Sequence, residues 1–294
     1  MPQWTVIGVP IDSVGRAGGT EHAPAALREH DLVARVGADD RGDLDVVIRG
    51  DARDPETGVV GIAGVLATTT AVRAAVREAV SDGRRPLLLG GCCALVPGAL
   101  AGLRDAVGPL GVAYVDGHVD VYDGRSSPTG EAADMPMGVA FGLAPDSWVQ
   151  AAGGPSAAPA DVIVLGARDP EEAADIAELR AGRLAAIEVL GPDELRAEGP
   201  AAAASRSAAR LSGAPFWIHL DVDVLDERAM PATDYLMPGG LEWDELAALL
   251  GPLCASPALA GLSLGCVNPE KDRHGTYVER TCALLAKVLS PRVS

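Results

Sequence analysis

One pattern constrains this chain more than any other. Short runs rich in aliphatic and β-branched residues recur at 4–9, 45–48, 86–89, 112–115, 162–165, 216–220 and 259–264. Most of them are separated by Ala-rich stretches of helical length, at 23–36, 61–81, 170–179, 200–211, 243–253 and 276–289. Strands apolar on both faces belong in a sheet covered by helices on both sides. Right-handed crossovers between successive strands then produce a doubly wound arrangement. The expectation is an α/β fold, a three-layer α-β-α sandwich around a mostly parallel sheet. No repeat of fixed period interrupts the alternation, and the most linker-like stretch, 151–160, is short, so residues 1–294 read as a single domain.

Composition narrows the partners. The chain has 48% hydrophobic residues, enough for a sizeable core, and a net charge of -17 that repels phosphate backbones and anionic lipid surfaces. Nucleic acid and membrane are therefore excluded as expected partners, and a small molecule is favoured. The N-terminus has neither the basic start nor the apolar run of a secretion signal, and no stretch approaches the ~18 apolar residues of a membrane span. A cytoplasmic protein is expected. Five cysteines, an odd number, suit metal binding or burial better than a disulfide framework.

In doubly wound sheets ligands sit beyond the carboxyl ends of the strands. Three of those ends carry chemistry: Gly90-Gly91-Cys92-Cys93, Asp116-Gly117-His118-Val119-Asp120 and Asp221-Val222-Asp223. If these segments continue extended, alternate side chains point the same way, which groups Asp116, His118 and Asp120, and likewise His219, Asp221 and Asp223. Two adjacent strands would then aim four carboxylates and an imidazole at one point. Such a cluster repels itself unless it is protonated or neutralised, and two divalent ions bridged by carboxylates would neutralise it. The plain alternative is a pair of solvated acidic loops.

These residues carry a family likeness. The chain resembles the arginase, agmatinase and formiminoglutamase (ureohydrolase) superfamily along nearly its whole length. The likeness runs through Val6-Ile7-Gly8-Val9-Pro10, Gly90-Gly91, the two aspartate motifs, Gly166-Ala167-Arg168-Asp169, Pro238-Gly239-Gly240 and Val267-Asn268-Pro269. The resemblance implies a binuclear manganese centre that activates a bridging hydroxide to attack an amidino carbon. By the same resemblance, Asp116, Asp120 and Asp221 would bind one ion, and Asp116 or Asp221, His118 and Asp223 the other. Cys93 stands where the family has its sixth ligand, a histidine.

Three departures from the family pattern shape the expected chemistry. First, with Cys93 as a thiolate, four aspartates and one sulfur carry one negative charge more than two divalent ions neutralise, so the ions are weaker Lewis acids. The softer donor also brings zinc or iron into question beside manganese. Cys92 reads as a small packing residue. Second, the histidine general acid/base of arginases has no counterpart in 131–136. Glu131 and Asp134 are alternatives for moving a proton, or are simply loop residues, and His219 is a further candidate whose expected partner is a metal-binding carboxylate. Third, Cys266 replaces the glutamate that pairs with the substrate guanidinium. An unpaired buried guanidinium is costly, so an uncharged analogue such as an N-hydroxyguanidine fits better.

These features resemble the cysteine-ligand Nω-hydroxy-arginine hydrolases, although those retain the glutamate. Ser126, Ser127 and Thr129 fall by resemblance over the mouth of the site, and Glu171 near an acid that holds the substrate's amino group. The expected function is metal-dependent hydrolysis of a non-peptide carbon-nitrogen bond, releasing urea or a substituted urea and an amine. The rival from another class is a non-catalytic family member that keeps its metals and binds a small molecule or a protein. Oxidation of a cysteine cluster at 92, 93 and 266 is a third reading. Both monomers and homo-oligomers occur among the relatives.

Overall fold

In the computed structural model, which describes residues 3–290, eight strands form one sheet. They are β1 (Trp4–Val9), β2 (Asp39–Asp43), β3 (Arg85–Gly90), β4 (Gly111–Val115), β5 (Val162–Leu165), β6 (Glu188–Leu190), β7 (Phe216–Asp221) and β8 (Leu259–Gly265). Their order is β2-β1-β3-β8-β7-β4-β5-β6, and every neighbouring pair is parallel. Helices pack over the sheet, giving the three-layer α/β sandwich the alternation predicts.

The central strands are buried along their length, and their apolar side chains form the core with Trp148, Trp217, Tyr114 and Phe216. Helices Pro200–Leu211 and Thr276–Leu289 coincide with the expected ranges. Two other ranges divide. The stretch 23–36 becomes Ala23–Glu29 and Leu32–Val36, broken at Asp31, whose φ of 60° is left-handed. The stretch 170–179 becomes Pro170–Asp175 and Ala177–Ala181.

The strand expected at 45–48 is a correction. The strand lies instead at Asp39–Asp43, a polar and largely exposed sequence. It is an edge strand with a single neighbour, so it needs no apolar face, and its carboxylates Asp40 and Asp43 are paired by Arg28. Ile48 is buried from the connection that follows. β6, the opposite edge, is three residues long and half-buried, and no apolar run announces it.

The order places β3, β8, β7 and β4 side by side in the middle of the sheet. Their carboxyl ends lead into Cys93, Cys266, Asp221 with Asp223, and Asp116 with Asp120, respectively. Gly91 permits the tight path after β3, because a Cβ there would stand 1.6 Å from the Ile11 carbonyl oxygen. Gly91→Ala is therefore expected to cost about 1–3 kcal/mol of stability, read as a lower urea midpoint with an unchanged slope.

Candidate metal centre

The two aspartate motifs converge by a different local route from the one their spacing suggests. β4 ends at Val115 and β7 at Asp221, so neither motif continues as a strand. Asp120 adopts a left-handed φ of 55°, and Val222–Val224 forms a short 3-10 turn. Strand alternation is thus corrected to turn geometry. Asp116 Oδ1 accepts the His118 amide at 2.8 Å, Asp221 Oδ1 accepts the Asp223 amide at 2.8 Å, and Asp223 Oδ1 accepts the Gly117 amide at 3.0 Å. Each carboxylate is held by the backbone of the turn that carries it or of its neighbour. Arg168 braces the turn after β7 by donating to the carbonyls of Asp223 and Leu225.

Two overlapping groups of ligand atoms result. Cys93, Asp116, His219 and Asp221 form one, and Asp116, His118 and Asp223 the other, with the atoms of each within 4.8 Å of one another. Asp116 is common to both. Its Oδ2 is buried and, among the described residues, has no hydrogen-bond partner, an arrangement that a cation would complete. The site residues therefore fit a divalent pair. Asp120 lines the same cleft but joins neither group, and its Oδ2 accepts the Tyr114 hydroxyl at 2.5 Å.

The electrostatics report the same crowding. Burial, then the Asp223 charge, pushes the Asp116 carboxyl up to about 7. Asp221 is pushed well up by burial and by Asp223 and Asp116, and Asp120 by burial and by Asp116. Burial would raise Asp223 too, but the imidazole of His118, 3.1 Å away, together with the Gly117 amide and Arg168, holds that carboxyl low. Burial works against a charge on His118, and the facing Asp223 and Asp116 override it and push the imidazole well up.

Cys93 is the hub of the deeper group. Its Sγ donates to Asp221 Oδ2 at 2.7 Å, lies 3.6 Å from Cys266 Sγ and 3.3 Å from His219 Nε2. The expected partner of His219 is corrected here: the ring meets that sulfur and the Ser263 hydroxyl, at 2.8 Å from Nδ1, and not a carboxylate. Ser263 Oγ already accepts the Trp217 indole at 3.0 Å. Its O–H is then free for Nδ1, which leaves the proton of the neutral ring on Nε2, facing sulfur. Burial lowers His219 to about 3, so the ring stays neutral.

The cleft above these groups is lined by Thr129, Asp134, Glu171, Tyr235 and Cys266 among others. Asp134 Oδ2 accepts the hydroxyls of Ser127 and Thr129, each at 2.6 Å, and burial raises its carboxyl. Ser127 thus stands behind Asp134, and Ser126 points away, its Oγ accepting the Asp123 amide at 3.0 Å. Glu131 lines an adjoining recess, where it accepts from Tyr235 at 3.1 Å and from Ser13 at 3.4 Å. Burial, then Asp134, raises its carboxyl.

Sequence reasoning assigns no site role to Tyr235, Tyr122, Glu172 or Asp175, nor to Asp169 beyond its place in a family motif, yet all line the cleft. Asp169 had a readable signal, an Asp-Pro-Glu-Glu helix start in which its side chain accepts the Glu171 and Glu172 amides. Glu172 in turn accepts the amides of Val119 and Asp120, both at 2.7 Å, which fixes the turn after β4. Tyr235 lies in an irregular segment with no motif around it.

Known proteins resemble the whole chain. The family model described as the arginase family matches residues 2–291. An arginase of Brevibacillus brevis is 27% identical over 98% of both chains, and an arginase of Bacillus subtilis 27% identical over 97% of this chain and 98% of its own. Among solved structures, the arginase of Bacillus caldovelox superposes with a TM-score of 0.89 at 25% identity, covering 100% of each chain. A formimidoylglutamase of Bacillus subtilis superposes at 0.77 with 20% identity over 99% and 88%, a likeness of fold.

Proposed function

This chain belongs to the arginase family, and from that premise we propose that it is a cytoplasmic, binuclear metal-dependent hydrolase of an uncharged, modified guanidino group, such as an N-hydroxyguanidine. The products are urea or a substituted urea and an amine. The whole chain acts as one arginase-like unit. The observation that carries the substrate reading is Cys266, a thiol in the wall of the cleft next to Cys93, at the place where the resemblance calls for a carboxylate. A guanidinium buried against it would lack its counter-ion, whereas a neutral hydroxyguanidine would not.

Asp116, Asp120, Asp221 and Cys93 are proposed to hold one ion, and Asp116, His118 and Asp223 the other, with two manganese ions as the first choice and zinc or iron as alternatives. The chemistry such a pair supplies is Lewis-acid activation of water and stabilisation of charge at the amidino carbon. The remaining work falls to the chain. Thr129 and Glu171 face the far end of the substrate, with Ser126 and Ser127 shaping the loop that presents Thr129. Asp134 faces the cleft with a carboxyl that burial raises, the direction a proton donor requires. Glu131 is linked to the cleft through the Tyr235 hydroxyl, a second path for the proton that the departing amine needs. His219 lies behind Cys93 and acts by positioning that sulfur.

A product assay on manganese-loaded protein over arginine, agmatine, acylated guanidines and N-hydroxyguanidines tests the reading. Hydroxyguanidine turnover is expected to exceed that of plain guanidines by at least about tenfold in kcat/KM, the equivalent of ~1.4 kcal/mol. Faster release of urea from arginine or agmatine would overturn the substrate assignment. Full metal occupancy without product from any compound would favour the binding protein. A second prediction separates the two acids: Asp134→Asn should lower kcat by about 10²–10⁴-fold and flatten the alkaline limb of its pH profile, where the proton donor is lost, while Glu131→Gln should do so only if Tyr235 relays the proton.

A further inference from the structure

We infer that Cys266 is a second sulfur donor to the deeper ion, so that this position is built for a thiophilic metal such as zinc while its neighbour keeps a harder one. The inference rests on the metal centre proposed above and, of its alternatives, assigns zinc rather than manganese to the deeper position. Two thiolates on one tetrahedral zinc, with bonds of about 2.3 Å, stand about 3.8 Å apart. The sulfurs of Cys93 and Cys266 stand 3.6 Å apart.

The surroundings complete a donor set. Asp221 Oδ2 is 2.7 Å from Cys93 Sγ, and a carboxylate oxygen of Asp116, whose Oδ2 is buried and unpartnered among the described residues, groups with Cys93 and Asp221, while Cys266 adjoins that group through its contact with Cys93. The proposed donor set is Cys93, Asp116 and Asp221, with Cys266 added from its place beside the Cys93 sulfur. His219 Nε2 faces Cys93 Sγ at 3.3 Å and can donate to the thiolate, which orients the sulfur without occupying the ion. The two thiols arrive from adjacent strands, β3 and β8, and the loops after them are tied together by the Cys266 amide donating to the Gly91 carbonyl at 2.7 Å.

The neighbouring group, Asp116, His118 and Asp223, contains only oxygen and nitrogen donors. Soft thiolates select zinc, iron or cobalt, and carboxylate with imidazole suits manganese. The centre is accordingly heterobinuclear. A thiolate at 266 engaged with an ion is also no longer a free anion for a cationic substrate.

Cobalt(II) absorption tests this without reference to turnover. The full chain, reduced and stripped of metal with a chelator, is titrated with cobalt(II), and the sulfur-to-cobalt charge-transfer band is read per bound ion. Cys266→Ser and Cys93→Ser are each expected to retain about half of the wild-type band, since each removes one of two thiolates. Cys266→Gly, which suits the left-handed φ of 64° at that position, should give the same half and guards against a folding defect in the serine variant. With one equivalent of zinc and manganese in excess, elemental analysis should find one of each per wild-type chain, and Cys266→Gly should lose at least about tenfold in zinc affinity. If both Cys266 variants keep the full band, the second sulfur is overturned and the metal centre stands. If the wild type binds no cobalt, the metal centre falls and the second sulfur with it.

Discussion

Asp221→Ala is expected to abolish both metal retention and turnover. The carboxylate closes the deeper group of ligand atoms and is the acceptor for the Cys93 thiol. Loss of an outer partner of a metal ligand alone costs about 10–100-fold, so loss of the ligand itself should lower kcat/KM by more than about 100-fold, or ~2.7 kcal/mol of transition-state stabilisation. Elemental analysis after gel filtration and a product assay check the two halves of the expectation. Asp146→Ala, on a helix remote from the cleft, should leave both unchanged. Wild-type activity in the Asp221 variant would remove Asp221 from the centre.

Metal affinity should fall steeply as the solution is acidified through neutrality. In the metal-free fold the Asp116 carboxyl is raised from 3.8 to about 7, and Asp120 and Asp221 are raised as well. Below its raised value a carboxyl holds a proton, and an ion must displace it, so each displaced proton weakens binding about tenfold per pH unit. Between pH 8 and pH 6 a loss of about 10-fold is expected from Asp116 alone, and more where Asp221 releases its proton in the same step. The linkage has a second face. A carboxyl raised by folding contributes stability below its unfolded value near 3.8 that is lost as pH rises through about 7. The stabilisation conferred by added divalent ions should therefore grow from pH 6 to pH 8. Calorimetric titration and thermal midpoints with and without metal would read both trends, and an affinity independent of pH over this interval would sink the expectation.

The buried strands were legible because their sequence is apolar on both faces, as a strand inside a covered parallel sheet requires, and because stretches of helical length alternate with them. β2 was not, since an edge strand of Asp, Arg and Gly carries no such mark, and its acids are satisfied by Arg28 from a helix. The aspartate motifs singled out residues that do meet, but strand alternation was the wrong reason. Backbone amides in the turns after β4 and β7 hold those carboxylates, and a left-handed residue at 120 re-aims the chain. The meeting of Cys93 with Cys266 depends on β8 inserting between β3 and β7, and strand order is a property of the whole topology. Tyr235 had no local signal because its partner, Glu131, is distant in the chain.

The insertion of β8 next to β3 has a consequence for how the protein matures. Cys93 and Cys266 come together with Asp116 and Asp221 only when β8 has slotted between β3 and β7, so a chain without β8 holds at most the Asp116, His118 and Asp223 group and not the deeper one. Occupation of the deeper site thereby waits on the insertion of β8, and tight ion uptake there becomes a report that the central strands have threaded correctly.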